Sequence, residues 1–290
     1  MAYVSYLYGE FKTHYMSIKS KTLSFQSIEL LDQLYQAQLL CFGIDKANKL
    51  LPNSNPDAVK RLLSDMTKRG LLMRIKDGLY YIIPFEQEAS TFMPDWHLLS
   101  QYIVGDANYY IGYFSALQIH SLTTQPNLKE QIVVSKQIKP SLLKVKSIPF
   151  QFIYHNEEHF FGSKKTWIDS FNKVQCSDLE KTFIDCLFKP SYASGITEIT
   201  KAIYKSKDTL NYQKLFEYAM QFNSQAVIKR LGFLLELLEV KNPVIEKLQK
   251  LRTNSFVLLE PSHPKEGKTI SRWAIQQNID SNSILSPIFT

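Results

Sequence analysis

Lys60, Arg61, Ser64 and Lys68 recur at steps of one, three and four residues, a spacing that gathers them on one side of a helix. The chemistry open to such a face is capture of a polyanion. Asn53, Ser54 and Asn55 stand just ahead of this face, and Arg74 and Lys76 follow it after a glycine. A helix that enters the major groove works with its N-terminal half, so Asn53, Ser54, Asn55, Ala58, Lys60 and Arg61 are the best placed to reach DNA. Arg61 suits a two-pronged hydrogen bond to guanine, and an asparagine in the turn suits adenine or a phosphate. Arg74 and Lys76 suit the backbone or the minor groove. Two of these residues have competing local jobs. Asn55 is a natural helix cap, the stronger reading for it, and Lys68 complements the negative end of the helix dipole.

Other chemically suggestive groups are weaker. His155, Glu157, Glu158 and His159 form the string HNEEH, but its order is not the HExxH of a zinc hydrolase. On a strand, His155, Glu157 and His159 share a face, which suits a polar sheet edge or partner surface better than a metal site. Cys176 has no adjacent base, and Ser177 reads as the N-cap of a capping box with Glu180. Lys164 and Lys165 read as solvated charge, with phosphate contact as the other option. Asp169, Asp178, Glu180 and Asp185 are close in sequence, yet their spacing is that of a solvated helix and lacks a clustered two-metal pattern. The expectation is therefore no catalytic residue, no metal, no cofactor and no enzyme activity.

The elements that position the basic face are legible around it. Asn55 caps a helix, Pro56 takes its first position, and Val59, Leu62, Leu63 and Met66 give it one apolar stripe. Gly70 stops it. Leu71 to Lys76 and Leu79 to Ile83 read as strands joined at Asp77-Gly78, a favoured two-residue hairpin turn. Upstream, residues 24–38 read as an amphipathic helix with Phe25, Ile28, Leu31, Leu34 and Tyr35 as its apolar positions, and residues 42–51 as a second, short helix. Three helices and a hairpin compose a winged helix-turn-helix over residues 1–84, with residues 1–22 as a lead-in helix or arm. Residues 85–95, continuing from Pro84, read as a linker.

The remainder, 96–290, reads as a mixed α/β domain with a helical latter half, which makes the whole chain α+β. Helices are expected near 96–102, 112–121, 177–189, 194–206, 211–222, 224–239 and 243–252. Strands are expected at 131–135, 149–155 and 165–167, with possible returns at 256–259 and 271–276. In the helix at 177–189, Leu179, Phe183, Cys186 and Leu187 share a face and read as core. Tyr109, Tyr110, Tyr113 and Phe114 form an aromatic cluster, read as core with a share available to a protein surface.

Composition narrows the function classes. Of the formal net charge of +7, residues 1–84 hold +4, the same surplus that lies within residues 55–76. Charge concentrated on one small module fits a nucleic-acid binder. Apolar residues at 44% supply packed cores and argue against wholesale disorder. No apolar run approaches the roughly 20 residues that span a bilayer, and the N-terminus does not read as a signal peptide. Cys41, Cys176 and Cys186 are odd in number and scattered, which fits structural thiols in a reduced cytoplasmic protein with no membrane partner.

Four segments, taken in order, resemble the AbiEi family of antitoxins from type IV toxin–antitoxin (abortive infection) systems. LLSDMTKRGLLMRIKDGLYYIIP at 62–84 is similar to that family's Leu, basic-Gly-Leu-Leu, Arg, basic, Gly-hydrophobic-Tyr pattern closing on proline. YYIGYFSALQIHSLTTQ at 109–125 is similar to its Tyr-Tyr-Ile, Ser-Ala, Leu-Thr segment. SDLEKTFIDCLFKPSYASGITEITKAI at 177–203 resembles its Glu-(Lys/Arg)-Thr-hydrophobic-Ile-Asp helix, and KRLGFLLELL at 229–238 its Arg-Leu-Gly-x-Leu-Leu-Glu helix. The resemblance runs over roughly residues 25–260 and leaves residues 1–22 unaligned. It implies a winged helix that binds inverted repeats in double-stranded promoter DNA and represses its own operon. It also implies a C-terminal domain that counteracts a nucleotidyltransferase-like toxin, directly or indirectly. A ligand-responsive winged-helix repressor unrelated to toxins is the alternative.

Overall fold

The computed structural model describes residues 21–126 and 128–288. The lead-in segment, apart from its last two residues, lies outside the described residues. Among those described, the protein is α+β, with eleven α-helices and three sheets. The chain divides into two compact units at the step from Asp95 to Trp96. Among the described residues, no helix is long and apolar enough to cross a membrane.

In the first unit, α1 (Phe25–Gln36) is capped by Ser24, whose Oγ accepts from the Ser27 amide. Strand β1 (Cys41–Gly43) leads directly into α2 (Ile44–Leu50), and α3 spans Pro56–Lys68. Strands β2 (Leu72–Lys76) and β3 (Leu79–Ile82) form the hairpin, and β1 pairs with β3 to give the order β1-β3-β2. The end of α3 is a Schellman motif. Gly70 sits at φ +73°, its amide bonds Thr67 O, and the Leu71 amide bonds Met66 O. Leu30, Leu34, Ala47, Val59, Leu63, Met66 and Tyr80 fill one core.

Two expectations need correcting here. Residues 42–51 are not one helix. Cys41 and Phe42 pair in register with Tyr81 and Tyr80, and helix begins only after Gly43. Sheet pairing and burial of both side chains override a helical pattern that is short to begin with. The buried face of α1 also differs from the expected one. Leu30 and Leu34 are buried with Ser27, whereas Phe25, Ile28 and Tyr35 are exposed. A small serine, not the larger Phe25 or Ile28, occupies the close-packed position.

The second unit is built on a six-stranded mixed sheet in the order β6-β7-β5-β4-β9-β8. Its strands are β4 (Tyr109–Ile111), β5 (Glu130–Val134), β6 (Leu142–Val145), β7 (Ile148–Tyr154), β8 (Ser163–Trp167) and β9 (Lys173–Ser177). Strand β5 runs parallel to β7, and β4 meets β9 in parallel at one register position, Ile111 opposite Cys176. Alternate residues serve opposite faces. Tyr110, Val133 and Ile153 cluster with Tyr113, while Ile111, Val174 and Cys176 cluster with Ala116, Leu98 and Ile119. Leu98 belongs to α4 (Trp96–Ile103), and Ala116 and Ile119 to α5 (Tyr113–Ile119).

After the sheet come α6 (Leu179–Phe188), α7 (Ile196–Ser206), α8 (Tyr212–Phe222), α9 (Gln225–Leu237) and α10 (Val244–Leu251). A small sheet of β10 (Val257–Leu258), β11 (Lys268–Ile270) and β12 (Ile275–Gln277) precedes α11 (Ser281–Leu285). These helices share one large core that includes Phe183, Leu231, Leu234 and Trp273. Helix α6 is central to it. Every residue from Glu180 to Leu187 is buried, whatever its polarity.

Candidate functional site

In the first unit, α3 buries Val59, Leu63 and Met66, and that orientation decides where its polar residues go. Lys60, Arg61, Ser64 and Lys68 are all exposed. Ahead of the helix, Asn53 and Asn55 are exposed and Ser54 is half-buried. The Asn55 Oδ1 accepts from the Asp57 amide at 2.9 Å, so this residue works as the cap. Arg61 bends back along the helix, its Nε donating to Asp57 O at 3.3 Å. In the hairpin, Gly78 at φ +71° makes the turn. Arg74 is exposed and paired with Asp77, which is itself 96% exposed; Lys76 is half-buried. Such an exposed pair contributes about 0–1 kcal/mol, small enough for a phosphate to displace the carboxylate. The structure thus gathers the nine sequence-derived residues on α3, its lead-in turn and the hairpin beside it. Of these, Lys60, Lys68, Ser64 and Asn53 have exposed side chains.

The second unit contains a polar cluster that the sequence did not announce. Lys181 and Asp185, one turn apart on α6, are fully buried and form an ion pair. The Tyr110 hydroxyl donates to Asp185 Oδ2 at 2.9 Å and accepts from Lys181 Nζ at 2.9 Å. His155 bridges two tyrosines, with Nδ1 at 3.3 Å from Tyr110 Oη and Nε2 at 2.8 Å from Tyr113 Oη. One proton arrangement satisfies every member. His155 carries its proton on Nδ1 and donates it to Tyr110, while the Tyr113 hydroxyl donates to Nε2. Burial pushes the His155 pKa down to about 4, only partly opposed by Asp185, so the imidazole is neutral near pH 7. Burial likewise holds Lys181 below its ordinary range and raises both tyrosines. Tyr113 adopts φ +53°, a left-handed conformation rare for a tyrosine, at the start of α5.

This cluster replaces three expectations. The string at 155–159 is not a strand-borne surface. His155 is buried at the end of β7, and residues Glu157–His159 form a 3-10 turn. That turn lets His159 stack on Phe222 at 3.8 Å and bond its carbonyl at 3.0 Å. Among the described residues, no three His, Cys, Asp or Glu side chains are grouped to hold a metal ion. Asp178, Glu180 and Asp185 do not lie on a solvated face. Asp178 is the N-cap of α6, accepting from the Lys181 amide, a role the sequence reading gave to Ser177. Ser177 instead ends β9, its hydroxyl 2.7 Å from Thr182 Oγ1. Glu180 holds the Asn211 amide and Lys214, which fastens the start of α8.

Residues that carried the family resemblance are concentrated in these internal contacts. Ser115 Oγ accepts from the Gln131 amide, and Thr123 donates to Glu198 at 2.5 Å. Arg230 donates to Leu187 O at the end of α6 and to Leu258 O, joining α6, α9 and β10. Gly232 faces the ring of Trp273, whose indole N–H bonds Glu236. All three cysteines are buried, and burial pushes the Cys41 thiol up to about 12.

No protein-family model matches the chain, and no curated protein matches it in sequence. Among solved structures, the Rv2827c protein of Mycobacterium tuberculosis is similar in fold, with a TM-score of 0.71. The match covers 93% of this chain and 96% of that one at 12% sequence identity, a level at which the likeness concerns the fold.

Proposed function

We propose that this protein is a DNA-binding repressor and the antitoxin of a type IV toxin–antitoxin system, a member of the AbiEi family. Its first unit acts as a winged helix on inverted repeats of its own promoter. Its second unit counteracts a nucleotidyltransferase-like toxin, and the protein itself performs no catalysis. One observation carries the DNA-binding half of this reading: α3 turns its apolar stripe into the core and leaves Lys60, Arg61, Ser64 and Lys68 exposed beside the β2–β3 hairpin. That is the disposition a recognition helix and wing require. The antitoxin half rests on the ordered resemblance of four segments.

The test separates the two halves in the full-length chain. Lys60→Ala, Arg61→Ala and Lys68→Ala combined should abolish retention of the upstream DNA in a gel shift. The same variant should still rescue growth when coexpressed with the product of the adjacent toxin-like reading frame. Retained DNA binding would refute the recognition-helix assignment, and wild-type protein that fails to rescue would refute the antitoxin reading. The ligand-responsive repressor has one observation in its favour, a cavity of about 640 Å³ in the second unit. It would show as release of the promoter by a small molecule, with no effect on the toxin.

A further inference from the structure

The hairpin of β8 and β9 carries an unusual set of side chains at the sheet's edge. Trp167 lies opposite Lys173 in register, and Lys165 opposite Gln175, so all four share one face. Trp167 is 56% exposed, and Phe171 in the turn is 89% exposed. The turn is nevertheless firmly built, since Asp169 Oδ1 accepts from the Phe171 and Asn172 amides, each at 2.7 Å. Lys173 Nζ stands 4.1 Å over the Trp167 ring. Trp167 at the end of β8 and Phe171 on this fixed turn thus hold large apolar surface toward solvent.

Trp167, Phe171, Lys165, Lys173, Gln101 and Asn108 are among the residues that line the 640 Å³ cavity. The cavity lies toward the Tyr109 and Lys173 ends of β4 and β9, away from the one position where those strands pair. Its volume falls within the range of small-ligand sites, about 300–1,000 Å³, and a protein-docking surface is usually flatter. Both charged side chains in its lining, Lys165 and Lys173, are cationic. The lining therefore combines flat aromatic faces, neutral amides that both donate and accept, and ammonium groups.

We propose that this cavity binds a nucleotide unit. The base stacks on Trp167 or Phe171, side-chain amides meet its edge, and Lys165 and Lys173 take the phosphate. Stacking of a base on an aromatic side chain tolerates any base, which suits a wall built from rings. The same chemistry serves a free nucleotide or one residue of a single strand. The site is formed by residues of the second unit, and the proposal does not depend on the assignment of α3.

The test uses full-length protein carrying Lys60→Ala and Arg61→Ala, so that binding at α3 does not obscure the result. It is titrated calorimetrically with nucleoside monophosphates, a short single-stranded oligonucleotide, inorganic phosphate and an acidic peptide. Saturable binding of a nucleotide or the oligonucleotide is expected. Trp167→Ala, and separately Lys165→Ala with Lys173→Ala, should each weaken it about tenfold or more, the scale of one lost stacking or phosphate contact. These side chains are exposed, and unchanged melting temperatures will show that the variants fold. Equal affinity for monomer and oligomer assigns a free nucleotide, whereas an oligomer about tenfold tighter assigns a strand. Absence of saturable nucleotide binding, binding undiminished in both variants, or saturation by the acidic peptide alone overturns the proposal.

Discussion

The ring of Trp273 lies directly against Gly232, so that a Cβ on that glycine would fall 2.0 Å from the nearest ring carbon. Trp273 is 1% exposed and has no room to retreat. Alanine in a helix gains about 1 kcal/mol over glycine, yet overpacking of this severity reverses the sign. Gly232→Ala should lower stability by about 3 kcal/mol in urea denaturation. A neutral or stabilising result would mean that Trp273 is not packed on α9.

Lys181 and Asp185 pair in the fully buried interior of the second unit, with the Tyr110 hydroxyl as their shared neighbour. Removing one leaves the other charged and buried, which costs about 3–5 kcal/mol, whereas replacing both with apolar residues of similar size is far less harmful. Lys181→Met and Asp185→Leu should each destabilise strongly, and the double variant should recover most of the loss. Simple additivity in that cycle would show the pair to be uncoupled.

His155 makes stability depend on pH in a defined direction. Its folded pKa of about 4 lies below the ordinary 6.5, so the unfolded chain binds the proton first as the solution is acidified. The stabilisation from this residue is complete above pH 6.5 and is lost progressively as pH falls toward 4. The linkage amounts to about 3 kcal/mol at most. Proton NMR titration of the His155 ring should find no midpoint above pH 5 while the protein remains folded. A midpoint near 6.5 would place the imidazole in water and dissolve the network with the two tyrosines.

The basic helix was readable because its limits are written in residues with few conformational options. Pro56 suits the first turn of a helix but not its interior, and Gly70 supplies the positive φ that ends it. The helices from 179 to 251 announced themselves by apolar periodicity for a similar reason. Strands β4 and β9 did not, since each is short and is defined by neighbours far along the chain. The network of Tyr110, Tyr113, His155, Lys181 and Asp185 was hidden for a related cause. Its members are separated by up to 75 residues, and Lys and Asp at that spacing on a helix ordinarily read as a solvated pair. Its local traces were the aromatic pair Tyr110 and Tyr113 and the four-residue step from Lys181 to Asp185. Phe25, Ile28 and Tyr35 misled in the opposite sense, since apolar type implied a core that Leu30 and Leu34 actually fill.

The most direct test of DNA recognition by α3 is the salt dependence of binding to the upstream duplex, measured for wild type and for Lys60→Ala/Arg61→Ala. If both cations neutralise phosphates, the slope of log K against log salt should flatten by about 1.8 as affinity falls. If Arg61 reads guanine instead, the slope should change by about half as much, with selectivity for the operator lost. Affinity and slope both equal to wild type would contradict the account.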